Sequence, residues 1–473
     1  MNLDIKYEKL IGFFRKISSI PRNSKEEEKI ADFLCDFAKE RGLFFQKDEH
    51  NNVIIKKGAT PGYESRKSIL FQAHTDMVCE KTSESKHDFR KDPIEIIQEG
   101  DILRAKDTTL GGDDGIGVAY LLLLLDDKEI EHPDIECLFT TQEEIGMYGA
   151  RDFNYSDIKA HYLINIDGEE EDTAIVGCAG GVSVNYLKNI TALRNINTQV
   201  YKLSISGLFG GHSGVDIQKG RINSNWLAAK ILKEIENINI TSFIGGNKDN
   251  AIANATEVIF STNEEDIDKC LDKALADIVV TKADENLRID IEKIDFDGKA
   301  LNVEESNNII SLIMNLKQNV IDYVENEEDM VETSGNIGIV NVKNGKIKIV
   351  ESLRSSIDAK KEEVKKYNNE LATKLGFEII EEGSYPGWKY DPNSEIKEVY
   401  IDAYKKNHEG KDPIVCAIHA GVECGMIYEK LPYLDMISIG PNVKDVHTVN
   451  EKLYLNSCKK LLCTLIDIIK NLY

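Results

Sequence analysis

Side chains that can bind metals or transfer protons recur where apolar stretches of this sequence end. The set is His74, Asp76, Asp113, Glu143, Glu144, Asp167 and His447, of which Asp113 is the exception, since it lies in a glycine turn that opens a buried helix. Imidazoles and carboxylates gathered in one cleft would need a cation, because burying unpaired charge costs much free energy. A ligand set of nitrogen and oxygen without thiolate suits zinc, with manganese and cobalt as alternatives. The joint pattern therefore predicts a metal centre.

Neighbouring members of this set suggest a division of roles. If the side chains of Glu143 and Glu144 diverge, one can bind a metal while the other takes the proton of a water whose pKa the metal has lowered to about 7. Asp76 lies two residues after His74 on an extended segment, so its side chain projects to the same side and can orient the imidazole. Asp113 would bridge two ions. Taken singly, each residue is more simply explained as a turn cap or a solvated surface group.

The elements around this set predict an α/β fold. Helical patterns cover residues 7–16 and 25–41, and the strand-like runs are NNVIIKKG, SILFQAH, DIECLFTTQ and HYLINID. A helix apolar enough to be buried, GIGVAYLLLLLDD, lies between them. Strands that alternate with helices favour a mainly parallel sheet covered by helices. Ligands gather at the carboxyl ends of the strands in such a sheet, so residues distant in sequence can converge there.

A different pattern begins at about residue 184. Strands such as TQVYKLSISGL alternate apolar and polar residues, and a long helix is predicted near 303–325. The hairpin IGIVNVKNGKIKIVESLR turns at Asn344-Gly345. This pattern is typical of an open-faced α+β domain. We therefore predict a catalytic α/β domain that is interrupted by an α+β insertion, with the ranges 1–183 and 391–473 for the former and 184–390 for the latter.

Charge and composition exclude several classes of partner. The chain has a net charge of −24 and a pI near 4.9, so it repels nucleic acid and anionic membrane surfaces. Its longest apolar run, VAYLLLLL, is shorter than the ~20 residues that span a bilayer, and the N-terminal segment lacks the apolar core of a secretory signal. The nine cysteines are scattered without a CxxC pair. They indicate reduced thiols and a cytoplasmic protein.

Several motifs together resemble those of the aminoacyl-histidine dipeptidases. They are AHTDMV, TTLGGDDGIG, TQEEIGMYGA, INIDGEE, GLFGGHSGVDI, AIHAGVECG and YPGW. Proteins of this family are cytosolic non-specific dipeptidases, in the di-zinc metallopeptidase superfamily that includes carboxypeptidase G, carnosinase and succinyl-diaminopimelate desuccinylase. The resemblance runs from about residue 5 to the C-terminus. It implies a zinc-peptidase-like catalytic domain, an inserted lid or dimerisation domain, and a homodimer.

The resemblance also implies two divalent metal ions, with Zn²⁺ as the first choice and Mn²⁺ or Co²⁺ as alternatives. The ligands that it implies are His74 and Asp167 on one ion, Glu144 and His447 on the other, and Asp113 between them. Glu143 would act as the general base, and Asp76 would orient the His74 ring. The peptide bond after Asp113 would be cis.

Further residues are implied to contact the substrate. His212, in GGHSG, would polarise the scissile carbonyl, although its spacing alone indicates a turn histidine between glycines. Arg354 would hold a substrate carboxylate, Asn250 would also contact substrate, and Glu423 would meet a free α-amino group or else serve as a turn carboxylate. Two departures weaken parts of the match: Ala253 replaces the proline of the lid motif, and HTVNE replaces a His-Ser-Pro-Asp-Glu segment.

The sequence thus predicts a metal-dependent enzyme that hydrolyses dipeptides with a free N-terminus. A metal-bound hydroxide would attack the peptide carbonyl, and Glu143 would carry the proton to the leaving amine. The alternatives with the same site are a tripeptidase and an N-acyl amino-acid deacylase. An alternative of another class is a non-catalytic metal-binding protein, against which the presence of Glu143 argues. The expected partners are a small peptide substrate and a second copy of the chain, and His212 could act within its own active site or in that of the second copy.

Overall fold

The computed structural model describes residues 3–196, 198–327 and 329–473. They fall into two compact units. The first unit runs to Gly177 and continues over 390–417 and 422–473, and the second consists of Cys178–Lys389 and Ile418–Gly421. The second unit thus begins before residue 184, where the alternating strand pattern starts. The role of the second unit as a lid or dimerisation domain stays a prediction.

Helices and strands are distributed over the whole described chain. The helices are α1 (Leu3–Ser18), α2 (Glu28–Glu40), α3 (Gly112–Asp126), α4 (Tyr148–Asp152), α5 (Ser224–Lys233), α6 (Ile267–Leu275), α7 (Val303–Asn315), α8 (Asp358–Lys374), α9 (Glu395–Asn407), α10 (Glu423–Lys430) and α11 (Leu455–Asn471). The strands are β1 (Phe44–Lys47), β2 (Val53–Lys57), β3 (Ile69–His74), β4 (Ile96–Glu99), β5 (Ile102–Ala105), β6 (Ile135–Thr140), β7 (Tyr162–Asn165), β8 (Thr173–Cys178), β9 (Gly180–Asn189), β10 (Arg194–Asn195), β11 (Gln199–Ser206), β12 (Gly211–His212), β13 (Asn239–Gly245), β14 (Ala251–Ile252), β15 (Thr256–Thr262), β16 (Arg288–Ile294), β17 (Lys299–Ala300), β18 (Asn319–Tyr323), β19 (Val331–Lys343), β20 (Lys346–Ser355), β21 (Glu378–Tyr385), β22 (Ile414–Ile418), β23 (Asp435–Ser438), β24 (Val443–Lys444) and β25 (Lys452–Tyr454). Within the described ranges, no helix combines the length and the apolar character that crossing a membrane requires.

The first unit is built on an eight-stranded sheet with the order β1-β2-β6-β3-β7-β23-β8-β22. The pairs at its centre, β6–β3, β3–β7 and β7–β23, are parallel. The pairs β1–β2, β2–β6 and β23–β8 are antiparallel. The predicted α/β fold is confirmed, and its parallel strands form the middle of a mixed sheet. Periodicity in the sequence shows that a strand is buried, but it does not show in which direction the neighbouring strand runs.

The register of the parallel strands brings several of the chemically active residues to one edge of the sheet. His74, the last residue of β3, pairs with Thr140, the last residue of β6, and Gln72 pairs with Asn165 at the end of β7. These three strands are buried along their whole length, as expected for parallel strands covered on both faces. The adjacent glutamates follow β6 closely, and Asp167 follows β7.

Helix α3 covers this sheet and begins beside the same edge. Its residues from Gly115 to Leu125 are buried on all sides, and it packs against α1 and β3. The apolar run that predicted a buried helix is therefore confirmed. The first turn of α3 is irregular, because Asp113 and Asp114 have non-helical backbone angles.

The second unit contains a nine-stranded sheet that includes the order β16-β11-β15-β13-β19-β20-β9-β21, with β18 paired to β19. Neighbouring strands along this order are antiparallel. Helices α5 and α8 pack on the sheet, and α7 packs on α5. The predicted α+β architecture is confirmed. The hairpin β19–β20 turns where predicted, since Asn344 and Gly345 both have positive φ, as a type I′ turn requires.

The helix predicted over residues 303–325 is shorter than expected. Helix α7 ends at Asn315, and the segment from Asn319 to Tyr323 is strand β18. Leu316 leaves the helical region with a ψ of 135°, and Asn319 has a φ of 62°. The apolar residues after Leu316 pack as an edge strand beside β19 instead of extending the helix, so pairing in the sheet outweighs the local helical pattern.

Candidate metal centre

Asp113 lies between the two histidines of the predicted site. Its Oδ1 is 2.9 Å from Nε2 of His74, and its Oδ2 is 3.0 Å from Nε2 of His447. The two oxygens of one carboxylate therefore face two different imidazoles. This arrangement is compatible with the predicted role of Asp113 between two ions.

Two further carboxylates complete two groups around Asp113. Oδ1 of Asp167 is 3.5 Å from Nε2 of His74, and Oε2 of Glu144 is 3.0 Å from Nε2 of His447. The structure thus brings together all five residues for which a ligand role is predicted, in the pairs that the resemblance implies. Their assignment as metal ligands stays a prediction.

Asp114 also lies close to this cluster, but its carboxylate serves the backbone. It offers an oxygen within 4.8 Å of ligand atoms of His74 and Asp167. However, Oδ2 accepts the N–H of His74 and Oδ1 accepts the N–H of Gly117, both at 3.1 Å. The peptide bond between Asp113 and Asp114 is cis, as predicted.

The donor set fits a divalent cation. Oε1 of Glu144 is buried and has no hydrogen-bond partner among the described residues, so this carboxylate is not satisfied by the protein alone. Burial and the neighbouring carboxylates raise the pKa of Asp167 to about 6, although His74 opposes the shift. Hydrogen bonds to Asp113 and Glu144 raise the pKa of His447 to about 11. A cation among these groups would relieve the crowding of negative charge.

Glu143 is placed beside the cluster as a candidate base. Burial raises the pKa of its carboxyl well above the usual range, and the charges of Asp167, Glu423 and Glu144 add to the effect while His74 opposes it. A carboxylate with a raised pKa is a better proton acceptor at neutral pH.

Asp76 connects the glutamate pair to His74. Its Oδ1 is 3.5 Å from Nδ1 of His74, whose nearer acceptor is the Asp76 carbonyl at 3.2 Å. The carboxylate also accepts the N–H groups of Glu143, at 3.0 Å, and Glu144, at 3.3 Å, and the hydroxyl of Ser24 at 2.7 Å. Asp76 therefore holds both the imidazole and the turn that presents the glutamates. The second of these contacts is not evident from sequence spacing.

Glu451 fixes the loop that carries Asp113. Its buried carboxylate accepts four consecutive backbone N–H groups, those of Leu110, Gly111, Gly112 and Asp113, at 2.7 to 3.2 Å. In the sequence this glutamate stands out only as part of the HTVNE segment, which does not predict its role. Contact between residues so distant in the chain has no local signal.

Arg22 is a second buried support that sequence analysis missed. Its guanidinium donates to the carbonyls of Thr75, Asp76 and Gly111, and so ties the end of β3 to the Asp113 loop. A Cβ at Gly111 would lie 2.4 Å from Nη2 of Arg22, and Gly111 has a φ of 68°. Glycine is therefore required at this position for both space and backbone conformation.

Glu423 is fully buried at the start of α10 in the same unit. Its Oε2 accepts hydrogen bonds from Gln72 at 2.5 Å and Thr140 at 2.8 Å, while Oε1 has no partner in the described ranges. The amide of Asn165 donates to Gln72, and Ser438 donates to Asn165, so a chain of donors points towards Glu423. Burial raises the pKa of Glu423 to about 8.

His212 and Asn250 lie next to each other in the second unit. Strands β12 and β14 pair His212 with Ala251, and the carbonyl of Asn250 accepts the N–H of Ser213. Nδ1 of His212 accepts the N–H groups of Gly214 and Val215 at 3.0 and 3.2 Å. The ring hydrogen of the neutral imidazole is therefore on Nε2.

Arg354, at the end of β20 in the second unit, is buried. Burial and the charge of Arg354 lower the pKa of His212, which keeps that imidazole neutral at pH 7. Ala253, which replaces the lid proline, is buried and accepts the N–H of Ser224 through its carbonyl. The loop that carries Asn250 is thus tied down without a proline.

The fold and these clustered residues are those of a metallopeptidase, and comparison with known proteins agrees. The chain belongs to Peptidase family M20/M25/M40, whose profile matches residues 70–471. The cytosol non-specific dipeptidase of Escherichia coli (strain K12) is 34% identical to it over 475 residues, which cover 98% of this chain and 97% of that protein.

Solved structures show the same relationship. The crystal structure of aminoacylhistidine dipeptidase from Vibrio alginolyticus matches with a TM-score of 0.93 and 33% identity, over 98% of this chain and 96% of that one. Aminopeptidase PepT from Bacillus cereus matches with a TM-score of 0.56 and 17% identity over 98% of both chains, which shows a shared fold. The resemblance to the aminoacyl-histidine dipeptidases is confirmed.

Replacement of Glu451 tests whether this carboxylate holds the Asp113 loop. Glu451→Ala leaves four backbone N–H groups without their acceptor, so we expect the free energy of unfolding to fall by about 3 kcal/mol and the zinc content after metal loading to fall with it. Urea denaturation and elemental analysis measure the two effects. Glu49→Ala is the control, because the Glu49 side chain is 89% exposed. Equal unfolding curves and zinc contents for the two variants would contradict the role of Glu451.

Proposed function

We propose that this chain is a metal-dependent dipeptidase that hydrolyses dipeptides with a free N-terminus. The observation that carries the proposal is the Asp113 carboxylate, whose two oxygens face His74 and His447 at 2.9 and 3.0 Å beside Glu143. His74 and Asp167 would hold one ion, Glu144 and His447 the other, and Asp113 both. Two divalent cations, Zn²⁺ first and Mn²⁺ or Co²⁺ as alternatives, would supply Lewis acidity and lower the pKa of water.

Glu143 has the role of proton carrier in this proposal. It accepts the proton of the attacking water and donates it to the leaving amine. Burial and the neighbouring carboxylates raise the pKa of Glu143, and a raised pKa strengthens a carboxylate as a proton acceptor. The bond from its own N–H to Asp76 fixes the backbone from which it reaches the reacting atoms.

His212 supplies a neutral hydrogen-bond donor in the second unit. Because Nδ1 is occupied by two backbone N–H groups, Nε2–H is available to donate to the scissile carbonyl oxygen as negative charge develops there. Arg354 would hold the substrate carboxylate, and Asn250 would contact the bound peptide.

Glu423 is the candidate for recognition of the substrate's α-amino group. Its unpartnered Oε1 provides an acceptor for an ammonium, whose positive charge would offset the burial that raises the pKa of this carboxyl to about 8. Dependence on a free amine is what separates a dipeptidase from an N-acyl amino-acid deacylase.

Location and assembly are part of the same proposal. We propose a cytoplasmic protein, in line with the scattered thiols and with the cytosol dipeptidase of Escherichia coli to which it is similar. We also propose a homodimer formed through the second unit. Light scattering at several protein concentrations measures the oligomeric state directly.

Turnover of a substrate panel tests the enzymatic proposal. Metal-stripped protein should be inactive, and refilling with zinc, manganese or cobalt should restore cleavage of dipeptides, β-alanyl-histidine among them. Glu143→Gln should lower kcat by about 10²- to 10⁴-fold, because the proton carrier is lost, with unchanged metal content. Faster cleavage of tripeptides or of blocked acyl-amino acids than of free dipeptides would contradict the specificity. Lack of turnover with all three metals would contradict the enzyme and favour a non-catalytic metal-binding protein.

Paired substitutions test the division of roles between His74 and Asp76. His74→Ala should lower zinc stoichiometry, since a ligand nitrogen is removed. Asp76→Asn should keep most of the zinc and lower kcat by about 10- to 100-fold, because only one of the two oxygens that accept the Glu143 and Glu144 N–H groups remains. Metal analysis and kinetics on the same samples separate the two effects, with the exposed Asp157→Asn as control. Equal zinc loss in both variants would show that the division of roles is wrong.

A further inference from the structure

Tyr385, the first residue of the YPGW segment, lies beside the Arg354 guanidinium in the second unit. Nη1 of Arg354 donates to the Tyr385 hydroxyl oxygen at 2.7 Å. Since that oxygen accepts the bond, the hydroxyl hydrogen can be donated elsewhere. Among the described residues, no atom accepts a hydrogen bond from the Tyr385 hydroxyl.

The register of three strands explains how the two side chains meet. Arg354 on β20 pairs with Gly181 on β9, and Gly181 pairs with Tyr385 on β21. Paired residues project from the same face of a sheet, so the tyrosine reaches the arginine only if the position between them has no side chain. A Cβ at Gly181 would lie 2.5 Å from the Tyr385 hydroxyl oxygen.

Further contacts hold the tyrosine in this orientation. A Cβ at Gly421 would lie 2.6 Å from Cε2 of the Tyr385 ring, so a second glycine makes room for the ring. Nζ of Lys361 donates to the Tyr385 carbonyl at 2.7 Å. The hydroxyl is therefore presented to Arg354 by a fixed ring on a fixed backbone.

The charge of Arg354 is not compensated within the described residues. Arg354 is only 7% exposed, and its Nε is buried without a hydrogen-bond partner. No carboxylate of the described ranges lies within 4.0 Å of its guanidinium. Burial and Arg354 lower the pKa of the nearby His419 to about 3, so that imidazole is neutral. A buried, unpaired guanidinium with free donors is suited to an anionic ligand.

We infer that Arg354 and Tyr385 form one carboxylate-binding site, and that Tyr385, placed across Gly181, determines specificity for substrates with a free C-terminal carboxylate. The inference rests on the proposed dipeptidase function. Arg354 supplies the charge and its remaining N–H donors. Tyr385 fixes the direction of the guanidinium and adds the hydroxyl donor.

Binding to a protein that cannot turn over its substrate tests this site. In zinc-loaded, full-length Glu143→Gln protein, calorimetry gives the Kd of a dipeptide and of the same dipeptide with a C-terminal amide. The dipeptide should bind more tightly. Adding Tyr385→Phe should weaken dipeptide binding about tenfold, the effect of losing a hydrogen bond to a charged group, and should leave amide binding nearly unchanged. Gly181→Ala should act in the same direction, because it displaces the hydroxyl.

The control is Tyr323→Phe in the same background, since Tyr323 is an exposed tyrosine of the second unit. An unchanged preference for the carboxylate in the Tyr385→Phe protein would overturn the inference, as would an equal loss of binding for both ligands, which indicates a merely structural role. If Gly181→Ala fails to fold, Tyr385→Phe decides alone, since it removes one oxygen atom.

Turnover by the wild-type protein is measured separately. A wild-type protein that hydrolyses no dipeptide, combined with a carboxylate preference that depends on Tyr385, would contradict the dipeptidase proposal and support the binding site. Normal turnover by the wild-type protein, combined with an unchanged preference for the carboxylate in Tyr385→Phe, would support the dipeptidase proposal and contradict the role of Tyr385.

Discussion

The Asp113 carboxylate must face two imidazoles at once, and much of the first unit serves this requirement. Its two oxygens lie 2.9 and 3.0 Å from His74 and His447, which are far apart in the chain. Two buried side chains hold the loop that carries it. Glu451 accepts four of its backbone N–H groups, and Arg22 ties the same loop to the end of β3. Both buried side chains, Glu451 and Arg22, thus act on the site through backbone N–H and carbonyl groups.

Negative charge is crowded in this cluster. Burial and neighbouring carboxylates raise the pKa values of Glu143 and Asp167, and burial raises that of Glu423. Both oxygens of the Asp76 carboxylate accept hydrogen bonds, whereas some carboxylate oxygens of this cluster have no partner among the described residues and are open to a ligand. Oε1 of Glu144 and Oε1 of Glu423 are of this kind. The two oxygens of one carboxylate therefore differ in their hydrogen bonding.

The second unit uses neutral and positively charged groups instead. The backbone fixes the tautomer of His212, and burial together with Arg354 keeps its ring neutral. Arg354 is itself buried without a carboxylate within 4.0 Å in the described ranges. Positive charge and oriented donors in this unit complement an anionic group or a developing oxyanion.

Local patterns predicted much of the architecture. The apolar runs that became β3, β6, β7 and α3 are long and strongly patterned, so burial on both faces could be read from them. The Asn344-Gly345 hairpin was predictable from its turn residues, because two adjacent positive φ angles favour asparagine and glycine. The end of α7 was not predictable, because β18 exists only through its pairing with β19.

The sequence by itself determined which residue types were available for the site, the elements after which they stand and, through shared motifs, the family to which the chain belongs. Only the tertiary structure decided which carboxylate oxygen faces which imidazole, that Glu451 and Arg22 support the loop, and that Tyr385 reaches Arg354 across Gly181. The physical reason is that types and periodicity are local properties of the chain, whereas a hydrogen bond depends on the distance and direction between atoms. For residues separated by hundreds of positions, those quantities are set by strand register and packing.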